Sequence, residues 1–138
     1  MTKAASPVSD LTTGYLAEVG QDTIVLALAN TDYRLHLAVT DLVNGEIDKP
    51  ISGRITARAR RVDPMQSGGR FVEPVYGRPR RIQGTIIATD PQANTISVQC
   101  AGRCTFICEL VTNQHANEFE VGTLVGFDIE RGAKLELN

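Results

Sequence analysis

Chemistry in this chain is concentrated in arginine. Eight of the eleven arginines fall between residues 54 and 81, namely Arg54, Arg58, Arg60, Arg61, Arg70, Arg78, Arg80 and Arg81. Asp63 and Glu73 are the only acids in that stretch, so it carries a formal +6, while residues 1–53 and 82–138 carry −4 each. In a strand, Arg58 and Arg60 share a face roughly 6.6 Å apart, a spacing that suits successive phosphates of a single nucleic-acid strand. The planar guanidinium fork grips a phosphate through two parallel hydrogen bonds. Gly68-Gly69 lets the backbone curve around a ligand, and Phe71 and Tyr76 offer rings for stacking on bases. Three readings stay open: a single-stranded nucleic acid tracked by these arginines, salt bridges between the chain's own acidic halves or between subunits, and docking to an acidic protein partner or another anion.

The remaining reactive side chains suggest less. Cys100, Cys104 and Cys108 are spaced C-x3-C-x3-C. Gly102 and the β-type residues around them argue for a hairpin, in which the thiols spread along a strand and no tetrahedral metal site forms. They read as small core residues, and no metal or cofactor is expected. His36 falls on the polar side of an alternating segment and His115 in a loop, neither beside a nucleophile or a carboxylate pattern. The chain has no G-x-S-x-G, P-loop, G-x-G-x-x-G or H-E-x-x-H, so an enzyme is not expected. The N-terminus shows no basic-then-apolar pattern, and no apolar run reaches membrane-spanning length. Together with free thiols this suits a reducing cytoplasm. The overall charge of −2 gives no general attraction to nucleic acid. Aromatic residues make up 5% of the chain with no Trp, so any stacking surface must be small.

Hydrophobic periodicity supplies the elements that would position the arginines. Residues 2–13 read as a polar tail. Tyr15–Val19, Thr23–Leu28 and Tyr33–Val39 read as strands joined by Gly20-Gln21-Asp22 and Asn30-Thr31-Asp32 turns; the third alternates strictly, with Tyr33, Leu35, Leu37 and Val39 on one face. Thr40–Pro50 is a polar connection with room for one helical turn after Thr40 or Asp41. Ile51–Val62 is a strand with Ile55, Ala57 and Ala59 opposing Arg54, Arg58 and Arg60. Asp-Pro, Gly-Gly and Gly-Arg-Pro break residues 63–81, leaving a short strand around Phe71–Tyr76. Strands then follow at Ile82–Ala88, Thr95–Cys100, Cys104–Val111, Phe119–Ile129 and Ala133–Leu137.

The two halves overlay. Gly14 falls on Gly84, Thr23-Ile24 on Thr95-Ile96, Leu35 on Ile107, Gly53 on Gly122, Ile55 on Leu124 and Arg61 on Arg131. Each half runs through a three-stranded meander, a connection and a further strand or hairpin. That order resembles an OB-fold, a small closed barrel. The segments GTIIATD, NTISVQC, FICELVT and VGTLVGFDIERG further resemble the successive strands of a cold-shock-type barrel. Cold-shock domains hold single strands on aromatic clusters of their second and third strands. Here Thr95–Gln99 and Thr105–Cys108 contain only Phe106 as an aromatic, so the resemblance implies the fold and not the ligand.

The expected protein is all-β: two tandem OB-like barrels (14–62 and 82–138) related by an internal pseudo-repeat and joined by an Arg/Gly/Pro-rich connection (63–81). Its expected function is non-catalytic binding, of single-stranded RNA or DNA through the arginine segment with Phe71 and Tyr76. The alternative is a structural or adaptor protein that meets a protein partner or another copy of itself.

Overall fold

Alternating apolar positions decide which strands form and which way they face. A computed structural model describes residues 10–40 and 46–137. In β1 (Thr12–Val19), β2 (Thr23–Ala27) and β3 (Arg34–Ala38), Leu16, Ile24, Leu26, Leu35 and Leu37 turn inward, while Arg34, His36 and Ala38 lie half-exposed. The long strand β4 (Pro50–Ala59) buries Ile55, Ala57 and Ala59 and exposes Arg54 and Arg58, the parity expected from the sequence. Three short strands follow, β5 (Asp63–Pro64), β6 (Phe71–Glu73) and β7 (Tyr76–Gly77). The chain continues through β8 (Arg81–Asp90), β9 (Thr95–Gln99), β10 (Thr105–Leu110), β11 (Leu124–Asp128) and β12 (Lys134–Leu137). Two single 3-10 turns, Ala101–Arg103 and Ala116–Glu118, are the helical content of the described residues. No helix among them is long and apolar enough to cross a membrane.

The strand pairings close a five-stranded barrel in the order β1-β2-β3-β12-β4 and back to β1. All contacts in it are antiparallel except β3 with β12, which meet in parallel at Ala38 and Lys134. This closed barrel is compatible with an OB-like fold. Its fifth strand comes from the C-terminal end of the chain, not from residues near β4. The last part of β4 serves the other half: Ile55–Ala59 pairs in parallel with Phe106–Leu110 of β10. Pairing continues through β9 and β8 to β11, and an Ala59–Ile129 bridge brings the end of β11 back to the end of β4. The buried apolar residues of both halves form one cluster, from Leu16 to Leu135. Thr12 ties the halves again: its hydroxyl donates to the Thr105 carbonyl (3.1 Å) and accepts from the Thr105 amide (3.0 Å).

The two meanders share a register. Tyr15 faces Ala27 and Leu16 faces Leu26, with an irregularity before Glu18; Thr85 faces Gln99 and Ile86 faces Val98, with an irregularity before Ala88. Gly14 and Gly84 take equivalent places, and the need for glycine is the same at both. A Cβ on Gly14 would sit 2.7 Å from the Ala27 carbonyl oxygen, and one on Gly84 would meet the Gln99 carbonyl oxygen.

Other parts of the sequence overlay are displaced. Leu35 pairs with Leu26 as Phe106 pairs with Val98, so Leu35 corresponds to Phe106 rather than Ile107. Gly14 faces Ile51 as Gly84 faces Val125, so Gly53 does not correspond to Gly122, which lies in the turn before β11. The strand expected over Phe119–Ile129 begins only at Leu124, because its first residues leave the 3-10 turn, which Phe119 caps, and then turn at Val121-Gly122. β1 starts at Thr12, inside the segment expected as a tail; residues 1–9, and most of the helical turn expected after Thr40, lie outside the described residues.

Leu135, on the strand that closes the barrel, is almost completely buried. Leu135→Ala should lower stability by about 2–5 kcal/mol through lost burial and the cavity left behind. Urea unfolding followed by circular dichroism should show one transition, shifted to lower urea; two separated transitions would contradict a shared core.

Candidate functional site

The arginines gather because backbone segments distant in sequence interlock at the far end of β4. The Arg60 amide donates to the Asp128 carbonyl (2.8 Å), the Glu130 amide to the Arg58 carbonyl (2.9 Å) and the Ile129 amide to the Arg80 carbonyl (2.9 Å). The Arg80 amide in turn donates to the Glu73 carbonyl (2.8 Å). Side-chain amides brace the same region. Gln114 accepts from the Val62 amide (2.8 Å) and donates to its carbonyl (2.9 Å), which holds the chain just past Arg60 and Arg61. Buried Gln83 donates to the carbonyls of Ser67 (3.2 Å) and Gly69 (2.8 Å), which anchors the Gly-Gly loop against β8.

This interlock lines a cleft of about 760 Å³ with Arg60, Arg78, Arg80, Arg81 and Arg131, facing only Glu73 and Asp128 among ionisable groups. Five guanidinium groups against two carboxylates leave a formal +3. Asp128 is engaged by Arg81 (3.1 Å). Arg60, Arg78, Arg80 and Arg131 have no carboxylate partner among the described residues, and all four side chains are exposed. Clustered cations without counter-charges repel one another, and a cleft lined by one sign of charge raises the local concentration of anions. The chemistry available is therefore anion binding through several forked donors, best matched to phosphate or carboxylate oxygens.

The arginines named from sequence divide into three groups. Arg60, Arg78, Arg80 and Arg81 come together in the cleft. Arg54, Arg58 and Arg61 are occupied elsewhere: Arg54 with Asp10 (3.1 Å), Arg58 with Glu109 (3.7 Å) and Glu130 (3.6 Å), and Arg61 with Asp63 (3.0 Å). Arg70 lies beside the β9–β10 turn, where it donates to Gln99 (3.3 Å) near Arg103. Arg131 was not among the residues chosen from sequence. It lies outside the dense arginine segment, and the overlay of Arg131 on Arg61 did not mark it, since the register that sets Ile51 with Val125 does not set Arg61 with Arg131.

The rings also separate. Phe71 is half-buried on β6 opposite Gln83, away from the cleft. Phe106, the one aromatic at the cold-shock positions, is fully buried and offers no face to a base. Tyr76 is 62% exposed and meets the His36 ring edge-on, with centroids 5.1 Å apart.

Cys100, Cys104 and Cys108 are free, buried core residues. Burial pushes the Cys104 thiol up to about 12, against a smaller opposing effect of its hydrogen bond with Thr12. Burial likewise raises Cys100 and Cys108, aided by the neighbouring cysteines. They are held as neutral thiols, which are poor nucleophiles and poor metal ligands. Among the described residues, no cluster of His, Cys, Asp and Glu is arranged to hold a metal.

With this geometry in hand, comparison with known proteins returns no match: no family model, no curated protein and no solved structure.

The thiols generate a pH prediction. In the unfolded chain they ionise at their ordinary value near 9, whereas in the folded chain Cys104 keeps its proton to about 12. The unfolded state therefore binds fewer protons above pH 9, and stability should fall as pH rises from there. Urea midpoints measured from pH 8 to 11 should decline in the native protein. The decline should be shallower in Cys104→Ala, compared with its own midpoint at pH 8.

Proposed function

We propose that this chain is a non-catalytic binding module for single-stranded nucleic acid, RNA in preference to duplex DNA. The observation that carries the reading is the convergence of five arginines from three separate chain segments on one cleft, four of them without carboxylate partners among the described residues. Arg60, Arg78, Arg80 and Arg131 neutralise successive phosphates, and Arg81 does so by exchanging its contact with Asp128. A narrow set of exposed forked donors suits a flexible single strand, which bends its backbone to meet them.

In this reading the chain is two OB-like barrels related by an internal repeat, each completed by a strand that the other half supplies. The matched β1–β2 and β8–β9 registers and the equivalent glycines support it. The cleft lies where β4 passes from one barrel to the other. Its neutral thiols are consistent with a cytoplasmic setting.

A structural or adaptor role has its own supporting observation. Arg58 joins β4 to Glu130 beyond β11, and Arg81 joins β8 to Asp128, so these two arginines act as internal ties between strands. Such exposed pairs each contribute roughly 0–1 kcal/mol, and this use does not extend to the four unpartnered arginines.

The test is binding to labelled oligouridylate across a salt series. Arg60→Ala with Arg80→Ala should weaken binding at least about tenfold, given roughly 1.5–3 kcal/mol for each charged hydrogen bond. It should also flatten the log–log salt slope by about 1.4, at roughly 0.7 per phosphate contact on a single strand. Arg54→Ala with Arg61→Ala, outside the cleft, should leave both unchanged. Equal effects from the two pairs, or no binding at low salt, would remove the cleft as the site.

A further inference from the structure

A second cleft, of about 480 Å³, lies on the other side of the Arg78-Pro79 segment. Both residues line both clefts, so the segment is a shared wall. The second cleft runs along the edge of β3. There β7 pairs with Arg34 and Leu35, and β12 resumes pairing only at Ala38. His36 lies between these pairings, and the cleft opens beside it with Gly77 on one side and Gly132-Ala133 on the other. The wall from β2 is made by Thr23, Ile24 and Val25.

His36 is the unusual group here. Its Nε2 atom is buried and has no hydrogen-bond partner in the structure. A buried polar nitrogen left unpaired is unfavourable by about the desolvation penalty of a lost hydrogen bond, and a ligand atom would relieve it. The exposed Tyr76 ring meets the His36 ring at 66° and is open to solvent over most of its surface. A cleft with one unsatisfied ring nitrogen, an exposed aromatic packed on that ring and Arg78 in its wall is suited to a flat, polar-edged ring attached to a phosphate.

Resting on the nucleic-acid reading above, we propose that this cleft receives a nucleobase of the strand whose phosphates lie in the arginine cleft. His36 hydrogen-bonds the base edge and Tyr76 stacks on its face. Arg78 spans the two clefts and binds the phosphate that joins the inserted nucleotide to the next. The cleft thus makes binding depend on bases and not on charge alone.

The experiment compares a labelled oligouridylate with an abasic ribose-phosphate strand of equal length, against the wild-type chain, Tyr76→Ala, His36→Ala and Tyr76→Trp. The wild type should bind the base-bearing strand about fivefold or more tightly, the low end of one base–aromatic stack. Tyr76→Ala and His36→Ala should each remove most of that advantage. Both should leave the abasic strand's affinity and the salt slope unchanged, and Tyr76→Trp should keep the advantage. Tyr76 is exposed, so its substitution leaves the core intact. Equal wild-type affinity for the two strands, with a steep salt slope, would overturn the base cleft while leaving the arginine cleft standing. Losses of equal size on both strands would also overturn it. Binding to neither strand would overturn both readings.

Discussion

The structure depends on hydrogen bonding along β4. Its first residues pair with β1, its middle with β12 and its last five with β10, and its end meets Ile129. A short twisted meander exposes unpaired edges, and closing a ring is the surest way to remove them. Here the first meander and β4 are closed by a strand that arrives from the chain's end. The second meander is bounded by the last five residues of β4, of which Ile55 and Thr56 also pair with β12. Neither half can be pulled away without stripping a ladder from the other, and the single buried cluster from Leu16 to Leu135 follows from that exchange.

The same exchange explains the charge distribution. Where β4 leaves the first ring, Arg58 and, just past its end, Arg60 come out beside the end of β11 and the start of β8, each with charges of its own. The acids there, Asp128 and Glu130, are drawn to Arg81 and Arg58. That accounts for the carboxylates on β11 and just beyond it, and leaves Arg60, Arg78, Arg80 and Arg131 facing a shared space. Holding these cations on backbone ladders lowers the entropy lost when a ligand is gripped. It also maintains an electrostatic repulsion that an anion would relieve. A cluster of this kind is more readily understood as a site than as a stabilising feature.

Much of the fold was legible because strand alternation is local. Ile55, Ala57 and Ala59 against Arg54 and Arg58, and Leu35 and Leu37 against His36, can be read from a few neighbouring residues. The matched glycines at 14 and 84 were also readable, since each lies where another strand's carbonyl leaves no room for a Cβ. The origin of the fifth strand was not readable. Lys134–Leu137 alternates in the same way whether it pairs with β4 or with a strand of its own half, and the choice rests on long-range closure. Charge drew attention to the arginine segment but did not show how its side chains divide. Whether Arg58 or Arg60 finds a carboxylate depends on Glu109 and Glu130, about fifty and seventy residues away in sequence. Arg131 lay outside the dense segment and joins it through the Ala59–Ile129 bridge and the backbone hydrogen bonds of residues 128–130 with Arg58, Arg60 and Arg80. The cleft beside His36 has no sequence signature, because it is a gap between two strand pairings.

The central claim is that the unpartnered arginines at the junction of β4, β8 and β11 form a phosphate-binding surface. The most direct test is an amide NMR titration of the isotopically labelled chain with a single-stranded oligouridylate at low salt. The account predicts saturable shifts concentrated at Arg60, at residues 73–81 and at residues 128–131, with Asp10, Arg54 and Arg61 unmoved. Shifts centred on Arg54 and Arg61, or a spectrum unchanged at the highest concentration of strand, would contradict it.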